Sequence, residues 1–486
     1  MFSKDMDEKV LPSRSQRRKG QPLSPKKKHK TGWMWHLPLV LILLGGAMTG
    51  VYIWHKKDQE KVAVFDTAQQ QLIKQQKQAN FQCIKDTQRN LTTVTYQPSN
   101  EKFTKELPLI HKQYQNMKEA FLKKTPMHAG TTWIQKIEKQ VLNPKMNKLI
   151  LSSQFFAWNK TKEKFDEQPL QQSVLLLSSE TGQLPNAKQI IGNEENLVSL
   201  KPIIQQTILE QAKAPEQVID QVLKLPNLSF DQKITLENNQ LTLELPQAIA
   251  EIKNVSIPLN LVLPYIDQNY LTNPTPEQTT TLDPNKKYIA LTFDDGPKAA
   301  TTNQLLDVLA AQQVKATFFM LGSSAAQYPD TVKRVVSEGH EIGSHSNVHN
   351  NLQAMSPEAI QADIQAADKA IFLAGGKLPL ILRPPYGAIN TQGAQVIDKA
   401  IIQWNTDSLD WKLKNTPLII QHVMQTVQPG AILLMHDIYP TTVAAVGPII
   451  EQLKAQGYEF VTVDQLLNHQ EKPRIQYFSQ NDARAV

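Results

Sequence analysis

The sequence predicts an α/β protein whose C-terminal part is built from parallel βα units, closing into a barrel or an open sheet. Three observations support this fold class. The chain of 486 residues is long enough for two or three folded units. From residue 288 onward, short apolar runs alternate with helical patterns, as parallel strands and their crossover helices do. Polar clusters follow several of these runs, at the strand ends where such folds build their sites.

Composition excludes several classes of protein. Hydrophobic residues at 41% and charged residues at 20% exclude wholesale disorder and a polytopic membrane protein. The single cysteine, Cys83, excludes an intrachain disulfide and a cysteine-rich zinc module. The first 32 residues hold ten Lys and Arg against three Asp and Glu, which accounts for the whole formal charge of +7. The rest of the chain is electrically neutral, so we expect no nucleic-acid partner.

Residues 32–54 are predicted to form a transmembrane helix. No Asp, Glu, Lys or Arg occurs between Lys30 and Lys56. About 23 helical residues reach roughly 34 Å, enough to cross a hydrocarbon core of ~30 Å. The basic tail 1–31 is expected to stay in the cytoplasm, which would place the rest of the chain outside the cell membrane. A cleaved signal peptide is the alternative interpretation.

The remaining domain boundaries are placed where the residue composition and the pattern of apolar residues change. Residues 55–145 are predicted to form a stalk and an N-terminal unit, and residues 146–270 a middle α+β domain. Within the latter, the alternating pattern around Asn238-Asn239 predicts a β-hairpin. Three prolines and a threonine run mark 271–287 as a linker. Residues 288–467 are predicted to be the βα domain, and 468–486 a C-terminal tail.

The βα domain is assigned from its apolar runs and the helical patterns between them. Each run is too short for a buried helix and is bounded by polar or turn residues. The predicted strands are 288–293, 316–320, 341–344, 380–382, 401–404, 431–435 and 460–463. The predicted helices are 301–312, 329–338, 357–373, 391–399, 417–427 and 442–456.

Candidate catalytic residues follow five of the predicted strands. Taken singly, each cluster has an ordinary structural explanation: Asp-Asp-Gly-Pro is a turn sequence, and two histidines four residues apart can share a helix face without binding a metal. Because the carboxyl ends of parallel strands share one rim, the clusters are expected to meet. They comprise Asp294, Asp295, His345, His349, Arg383, Asp407, Asp410, Trp411, His436 and Asp437.

Such a set predicts metal-assisted hydrolysis of an acyl bond. One carboxylate and two imidazoles leave coordination positions open, as catalytic metal sites do. A second carboxylate can accept a proton from water, and a further histidine can donate one to a leaving group. A 2-His-1-carboxylate iron oxygenase and a glycosidase are alternatives. The first lacks a cosubstrate motif, and the second needs two facing carboxylates.

Five motifs in order, TFDDGP, HSNVH, RPPYG, DSLDW and LLMHD, closely resemble those of polysaccharide deacetylases, the NodB homology domain of carbohydrate esterase family 4. The resemblance covers about residues 286–467 and implies a distorted (β/α) barrel. The preceding segments look like those of membrane-anchored peptidoglycan N-acetylglucosamine deacetylases of Gram-positive bacteria.

The resemblance implies a role for each matching residue. Asp295, His345 and His349 would bind a divalent metal, usually zinc in the family, with cobalt or another ion in some members. Asp294 would be the general base, and Arg383 would pair with it and orient it.

The remaining roles concern the leaving group and the pocket. His436 would be the general acid, held by Asp410, which would raise its pKa. The backbone N–H of Tyr386 would contribute to an oxyanion hole. Trp411 and Leu434 would line the pocket for the acetyl methyl group.

The implied activity is removal of the N-acetyl group from GlcNAc residues of peptidoglycan, which releases acetate and makes the glycan strands poor lysozyme substrates. Two alternatives stay open. The substrate could be another GlcNAc polymer, such as poly-GlcNAc or a chitooligosaccharide. The chain could also be a catalytically silent wall-binding protein.

Overall fold

The computed structural model describes residues 37–125, 127, 129–271 and 282–486. The predicted tail 1–31, the start of the predicted membrane segment (32–36) and most of the predicted linker (272–281) lie outside these residues. In the part of the chain that is described, no helix combines the length and apolar character needed to cross a membrane.

The described residues form strands and helices in the following order. The strands are β1 (Phe81–Gln88), β2 (Leu91–Pro98), β3 (Thr131–Asn143), β4 (Met146–Asn159), β5 (Lys164–Glu167), β6 (Gln171–Ser178), β7 (Ile234–Glu237), β8 (Gln240–Ile249), β9 (Ile252–Pro258), β10 (Lys287–Asp294), β11 (Thr317–Met320), β12 (Glu341–Ser344), β13 (Ile381–Leu382), β14 (Ala400–Ile402), β15 (Thr406–Asp407), β16 (Ala431–His436), β17 (Tyr458–Val461), β18 (Ile475–Ser479) and β19 (Asp482–Ala485). The helices are α1 (Leu37–Gln76), α2 (Leu107–Leu122), α3 (Ala187–Ile191), α4 (Glu194–Gln211), α5 (Pro215–Leu223), α6 (Leu259–Val262), α7 (Ala299–Ala311), α8 (Gly322–Gln327), α9 (Pro329–Ser337), α10 (Pro357–Gly375), α11 (Thr391–Gln395), α12 (Asp410–Leu413), α13 (Thr416–Thr426), α14 (Pro440–Ala455) and α15 (Val463–Leu466). Short 3₁₀ turns lie at Leu263–Tyr265, Gln268–Tyr270, Leu352–Ala354 and Pro385–Gly387.

The N-terminal sheet is formed by β1 to β6, with α2 packed on one face. Apolar residues of α2 fall on one helical stripe, and its Phe121 stacks on Phe155 of β4 at 3.9 Å between ring centroids. The longest pairing in this sheet joins β3 to β4 through a turn closed by the Asn143 side chain, which accepts from Lys145 N–H at 2.9 Å. The predicted boundary at 145/146 falls at this turn, so both of its sides belong to one sheet.

Residues 187–271 form what we call the middle unit, in which α3 to α6 pack on the hairpins β7–β8–β9. The predicted hairpin is confirmed: Asn238 and Asn239 form its two-residue loop, and both have positive φ angles, 51° and 61°. Asparagine tolerates this left-handed conformation better than most residues, which explains why asparagine occupies both loop positions of this tight turn.

The C-terminal region is a barrel surrounded by helices. Within the described residues, seven strands pair in a ring, in the order β10, β11, β12, β13, β14, β18 and β16, which pairs again with β10. The closing strand β18 comes from the segment predicted to be a tail, 468–486, which is therefore part of the barrel. It pairs with β14 at Ile402 and with β16 at Ala431.

Alternation along the strands determines what reaches the barrel interior. In β10, Ile289, Leu291 and Phe293 pack against the surrounding helices, whereas Tyr288 and Ala290 belong to the interior apolar cluster. Because successive side chains point to opposite faces, the inward row continues to Thr292 and ends at Asp294. The interior thus changes from apolar to polar toward the carboxyl ends of the strands, which we call the barrel mouth.

The middle unit and the barrel are in direct contact. Phe372 on α10 and Leu378 between α10 and β13 belong to the barrel region of the chain, yet they pack in the apolar core of the middle unit. Gln365 donates to the Leu223 carbonyl at 3.1 Å, and Leu378 N–H donates to Gln206 at 2.8 Å. These contacts place the amino ends of β12, β13 and β14 against the middle unit.

Candidate active site

Three side chains converge at the barrel mouth with the geometry of a metal site. Asp295 follows β10, His345 follows β12, and His349 lies four residues further along the same loop. One potential ligand atom from each of the three lies within 4.8 Å of the others. His349 Nε2 is 3.3 Å from Asp295 Oδ1, and His345 Nε2 is 3.5 Å from the same oxygen.

The donor atoms fit a divalent cation. Asp295 Oδ1 is buried and has no hydrogen-bond partner among the described residues, so a cation there would remove a desolvation cost. His345 Nδ1 lies 2.7 Å from the Arg383 carbonyl oxygen, which can only accept. The proton is therefore on Nδ1, and Nε2 presents its lone pair to the site. Burial also lowers the pKa of His345, which favours the neutral form that binds metals.

The loop carrying the two histidines is not helical. Residues 345–350 have no regular secondary structure, and both Ser346 and His349 have positive φ angles, 69° and 63°. His349 N–H donates to Ser346 Oγ at 2.9 Å, which closes the loop locally. The two histidines therefore do not share a helix face, and the loop itself brings their imidazoles together, as expected for ligands carried by loops.

Asp294 and Arg383 form a fully buried ion pair beside the metal site. Asp294 is 3% exposed and Arg383 is 0% exposed. Arg383 Nη1 donates to Asp294 Oδ1 and to Thr292 Oγ1, both at 2.7 Å, and its other nitrogens donate to backbone carbonyls. The guanidinium also lies over the Phe319 ring at 4.1 Å. These contacts fix the arginine, which in turn holds one oxygen of Asp294 in place.

His436 and Asp410 form a second carboxylate–imidazole pair. His436 ends β16 and is the register partner of Asp294 on β10. Its Nδ1 lies 2.7 Å from Asp410 Oδ1. Asp410 is completely buried and also accepts from the His436 and Trp411 backbone N–H groups and from Thr442 Oγ1. Burial alone would lower the pKa of His436, but the hydrogen bond and charge of Asp410 outweigh it and raise the pKa to about 9.

The three residues expected to line the substrate pocket lie around this mouth. Tyr386 is exposed, has a φ of 60°, and its ring meets that of His349 edge-on at 4.6 Å. Trp411 is half-exposed on α12, next to Asp410. Leu434 is buried two residues before His436 and therefore points to the same side of β16.

Several residues of the site were not assigned a role from sequence. Thr292 and Thr442 bind Arg383 and Asp410, as described above. Asp437 is buried beneath the Asp-Asp-Gly-Pro turn, accepts from Thr302 Oγ1 at 2.6 Å, and has its pKa raised to about 7 by burial. A Cβ on Gly296 would lie 2.2 Å from Asp437 Oδ2, which explains the glycine. The sequence signal for Asp437 was its place in the LLMHD motif, whereas no sequence pattern marked Thr292 or Thr442 as part of the site.

Residues 281–403 match the family model described as polysaccharide deacetylase. The chain is 31% identical over 427 residues to the peptidoglycan-N-acetylglucosamine deacetylase PgdA of Listeria monocytogenes, covering 85% of this chain and 90% of that protein. It is 44% identical over 186 residues to the peptidoglycan-N-acetylmuramic acid deacetylase PdaC of Bacillus subtilis, covering 38% and 40%. A solved PdaC structure covers 38% of this chain and 92% of its own, with 44% identity and a TM-score of 0.37.

Proposed function

The chain belongs to the polysaccharide deacetylase family, and from that premise we propose that it removes the N-acetyl group from GlcNAc residues of peptidoglycan. Support comes chiefly from one arrangement beside the three-residue metal site: Asp294, paired with Arg383, and His436, paired with Asp410, face each other on the adjacent strands β10 and β16. The similarity to the Listeria protein over most of the chain supports the choice of substrate. The products would be acetate and a glucosamine unit, and the modified strands would resist lysozyme.

A divalent metal held by Asp295, His345 and His349 would supply Lewis acidity to the carbonyl oxygen and to water. We propose zinc, because zinc suits a site of two imidazoles and one carboxylate with open positions. Metal analysis of the purified protein would show whether cobalt or another divalent ion takes its place.

Asp294 would act as the general base. Arg383 occupies its Oδ1 at 2.7 Å, so Oδ2, 3.8 Å from His345 Nε2, is the oxygen that faces the metal ligands. As the water oxygen bonds to the acetamide carbon, Asp294 Oδ2 would accept the water proton. The fixed arginine keeps the base in position throughout.

His436 would act as the general acid. Because Asp410 holds Nδ1, Nε2 is the nitrogen left to donate a proton. When the carbon–nitrogen bond breaks, that proton passes to the departing nitrogen and an amine leaves. The pKa of about 9 keeps the imidazole protonated at neutral pH. The Tyr386 N–H would stabilise the oxyanion, and Trp411 and Leu434 would contact the acetyl methyl group.

We further propose that residues 32–54 anchor the chain in the cell membrane, with the barrel on the outer side facing the wall. The run of 23 residues without a charge and the basic tail before it support this proposal. Fractionation of cells, followed by protease treatment of intact protoplasts, tests it. Recovery of the chain in the soluble fraction would contradict the anchor.

The proposed activity is tested by mass spectrometry of muropeptides from cells that carry the wild-type gene or Asp294→Asn. We expect GlcNAc residues to lose the acetyl group in the wild type only. Asp330→Asn makes the same chemical change at an exposed site on α9 and should leave the profile unchanged. If wild-type and Asp294→Asn muropeptides are identical, the substrate is another GlcNAc polymer or the protein is silent, and acetate release from soluble oligomers separates these two.

A second candidate substrate is the N-acetylmuramic acid residue of the same strands. The specific observation in its favour is the 44% identity to the PdaC protein over 186 residues, which exceeds the identity to the Listeria protein but covers much less of the chain. Fragmentation of each muropeptide assigns the missing acetyl group to one sugar or the other, so the same experiment decides between them.

A further inference from the structure

The short helix α12 carries two exposed lysines on the side of the barrel mouth that holds His436. Asp410, the first residue of α12, binds the His436 imidazole. Lys412 and Lys414 follow two and four residues later, and both are exposed. Neither ammonium group has an ion-pair partner among the described residues. Both charges are therefore available to a ligand at the mouth.

Lys414 lies next to a tyrosine that adjoins the general acid. Its Nζ is 5.8 Å from the centroid of the Tyr439 ring, within the range of a cation–π contact. The Tyr439 ring in turn has its centroid 5.8 Å from that of the His436 imidazole. Burial, together with the charges of Asp295 and Asp410, raises the pKa of Tyr439, as expected for a hydroxyl that faces the mouth. Tyr439 thus connects the proposed acid to the exposed ammonium.

The backbone of Lys414 gives no reason for a lysine at this position. Lys414 ends α12 with a φ of 44°, in the left-handed region. Glycine is the usual residue at such a helix end, because a side chain there is sterically unfavourable. The chain nevertheless has a long cationic side chain here, placed over Tyr439. A use for that side chain at the mouth would explain it.

The carboxylates on this side of the mouth already have partners. Asp407 accepts from Leu409 N–H at 2.8 Å and from the Trp411 indole N–H at 3.4 Å. Asp410 and Asp437 are buried and accept the hydrogen bonds described above. The exposed charge beside His436 is therefore positive, and it favours a substrate that carries negative charge near the departing nitrogen.

We propose that Lys414, placed over Tyr439, binds a carboxylate on the residue next to the sugar that is deacetylated. This inference rests on the proposed function. In peptidoglycan each GlcNAc adjoins a muramic acid residue, whose lactyl group ends in a carboxylate or in a peptide that carries carboxylates. Poly-GlcNAc and chitooligosaccharides have no such group. Lys414 would touch none of the reacting atoms, so it is a specificity-determining residue that favours wall strands over neutral GlcNAc polymers.

The experiment is calorimetric titration of the full chain carrying Asp294→Asn, which prevents turnover. The ligands are a neutral GlcNAc tetramer, the peptide-free tetrasaccharide of alternating GlcNAc and N-acetylmuramic acid, and the same tetrasaccharide with its peptides. Adding Lys414→Gln should weaken binding of an acidic ligand by about three- to fivefold, the usual effect of an exposed ion pair, and leave the neutral tetramer unchanged. A loss with the peptide-free ligand identifies the lactyl carboxylate, and a loss only with the third ligand identifies the peptide.

Two further variants make the test specific for charge and position. Lys414→Glu replaces attraction by repulsion and should weaken binding of the acidic ligand by about tenfold. Lys377→Gln removes an exposed lysine that precedes β13, at the end of the strands away from the mouth, and should change nothing. The preference for the acidic ligand should also decrease at high salt concentration.

The inference is overturned if the acidic and neutral ligands bind equally, or if Lys414→Gln weakens binding of all three ligands alike. Acetate release is measured separately, with Asp294 intact. A chain that prefers the acidic ligand but releases no acetate contradicts the proposed function alone. A chain that releases acetate without any preference for acidic strands contradicts this inference alone.

Discussion

His345 and His436 belong to two sides of the same barrel mouth, and their partners differ. On the metal side, His345 donates to a backbone carbonyl, and burial lowers its pKa. On the acid side, His436 meets the Asp410 carboxylate, which overcomes burial and raises its pKa to about 9. One residue type is thereby kept neutral as a ligand and protonated as an acid. The partner of Nδ1, more than the degree of burial, sets the chemistry of each imidazole.

The largest effect is expected from breaking the metal side. His345→Ala should remove a ligand and lower acetate release by more than about a thousandfold, because several kcal/mol of charge stabilisation are lost. Bound metal, measured by mass spectrometry of the purified protein, should fall with the activity. His111→Ala, at an exposed position on α2, is the control and should change neither. Full activity of His345→Ala would contradict the metal site.

Breaking the acid side should separate activity from metal content. In His436→Ala, acetate release should fall by about 10²–10⁴-fold, the usual contribution of a general acid. Bound metal should stay at the wild-type level, because His436 is not among the three clustered ligands. If His436→Ala loses its metal, the division of the mouth into two sides is wrong.

The comparison is sharpened by removing the charge that distinguishes the two imidazoles. The acid form of His436 is required, so activity should persist up to about pH 9 and fall as the pH rises through that value. In Asp410→Asn, only the charges of Asp294 and Asp295 still oppose burial, so the pKa of His436 should fall below its wild-type value of about 9. The alkaline limit of activity should therefore move to lower pH, and the activity lost near pH ~8 should recover as the pH is lowered.

The measurement for Asp410→Asn is the pH dependence of kcat for acetate release. Its control is Asp231→Asn, an exposed carboxylate in the middle unit, which should keep the wild-type profile. If kcat decreases by the same factor at every pH and its fall at alkaline pH occurs at the wild-type value, Asp410 does not act through the pKa of His436.

The smallest effect is expected at the edge of the pocket. Trp411→Ala should lower kcat/KM by about tenfold, because a half-exposed aromatic side chain contributes part of its burial energy to substrate contact. Metal content and the pH profile should not change. Trp411→Phe should restore most of the loss, whereas a shifted pH profile would indicate that Trp411 acts through Asp410.

Much of the barrel could be predicted because its signals are local. The seven predicted strands correspond to β10, β11, β12, β13, β14, β16 and β17. An apolar run or an amphipathic helical pattern can be recognised from the residues of one segment alone. The same is true of a polar cluster that directly follows a strand. The Asn238-Asn239 hairpin was predictable for the same reason, since its turn chemistry lies within two residues.

Two failures have different causes. The strand β18 is short and half-exposed, and only its pairing with the distant strands β14 and β16 makes it part of the ring. The boundary at 145/146 failed because the turn at residues 143–145 is a hairpin turn within one sheet, and a turn sequence alone does not distinguish a hairpin from a domain boundary. The donors Thr292 and Thr442 were missed likewise, as threonine on a strand or helix has no distinctive spacing.

The membrane segment and the linker stay predictions. Residues 32–36, where the predicted anchor would begin, and residues 272–281 of the predicted linker lie outside the described residues.

The ring of strands is completed by residues 475–479, which follow all five motifs along the chain. Until these residues have been synthesised, one edge of β14 stays uncovered. Deletion of residues 475–479 would leave all five motifs intact and still deprive the barrel of its closing strand. A growing chain therefore contains every catalytic motif before its barrel interior can be enclosed.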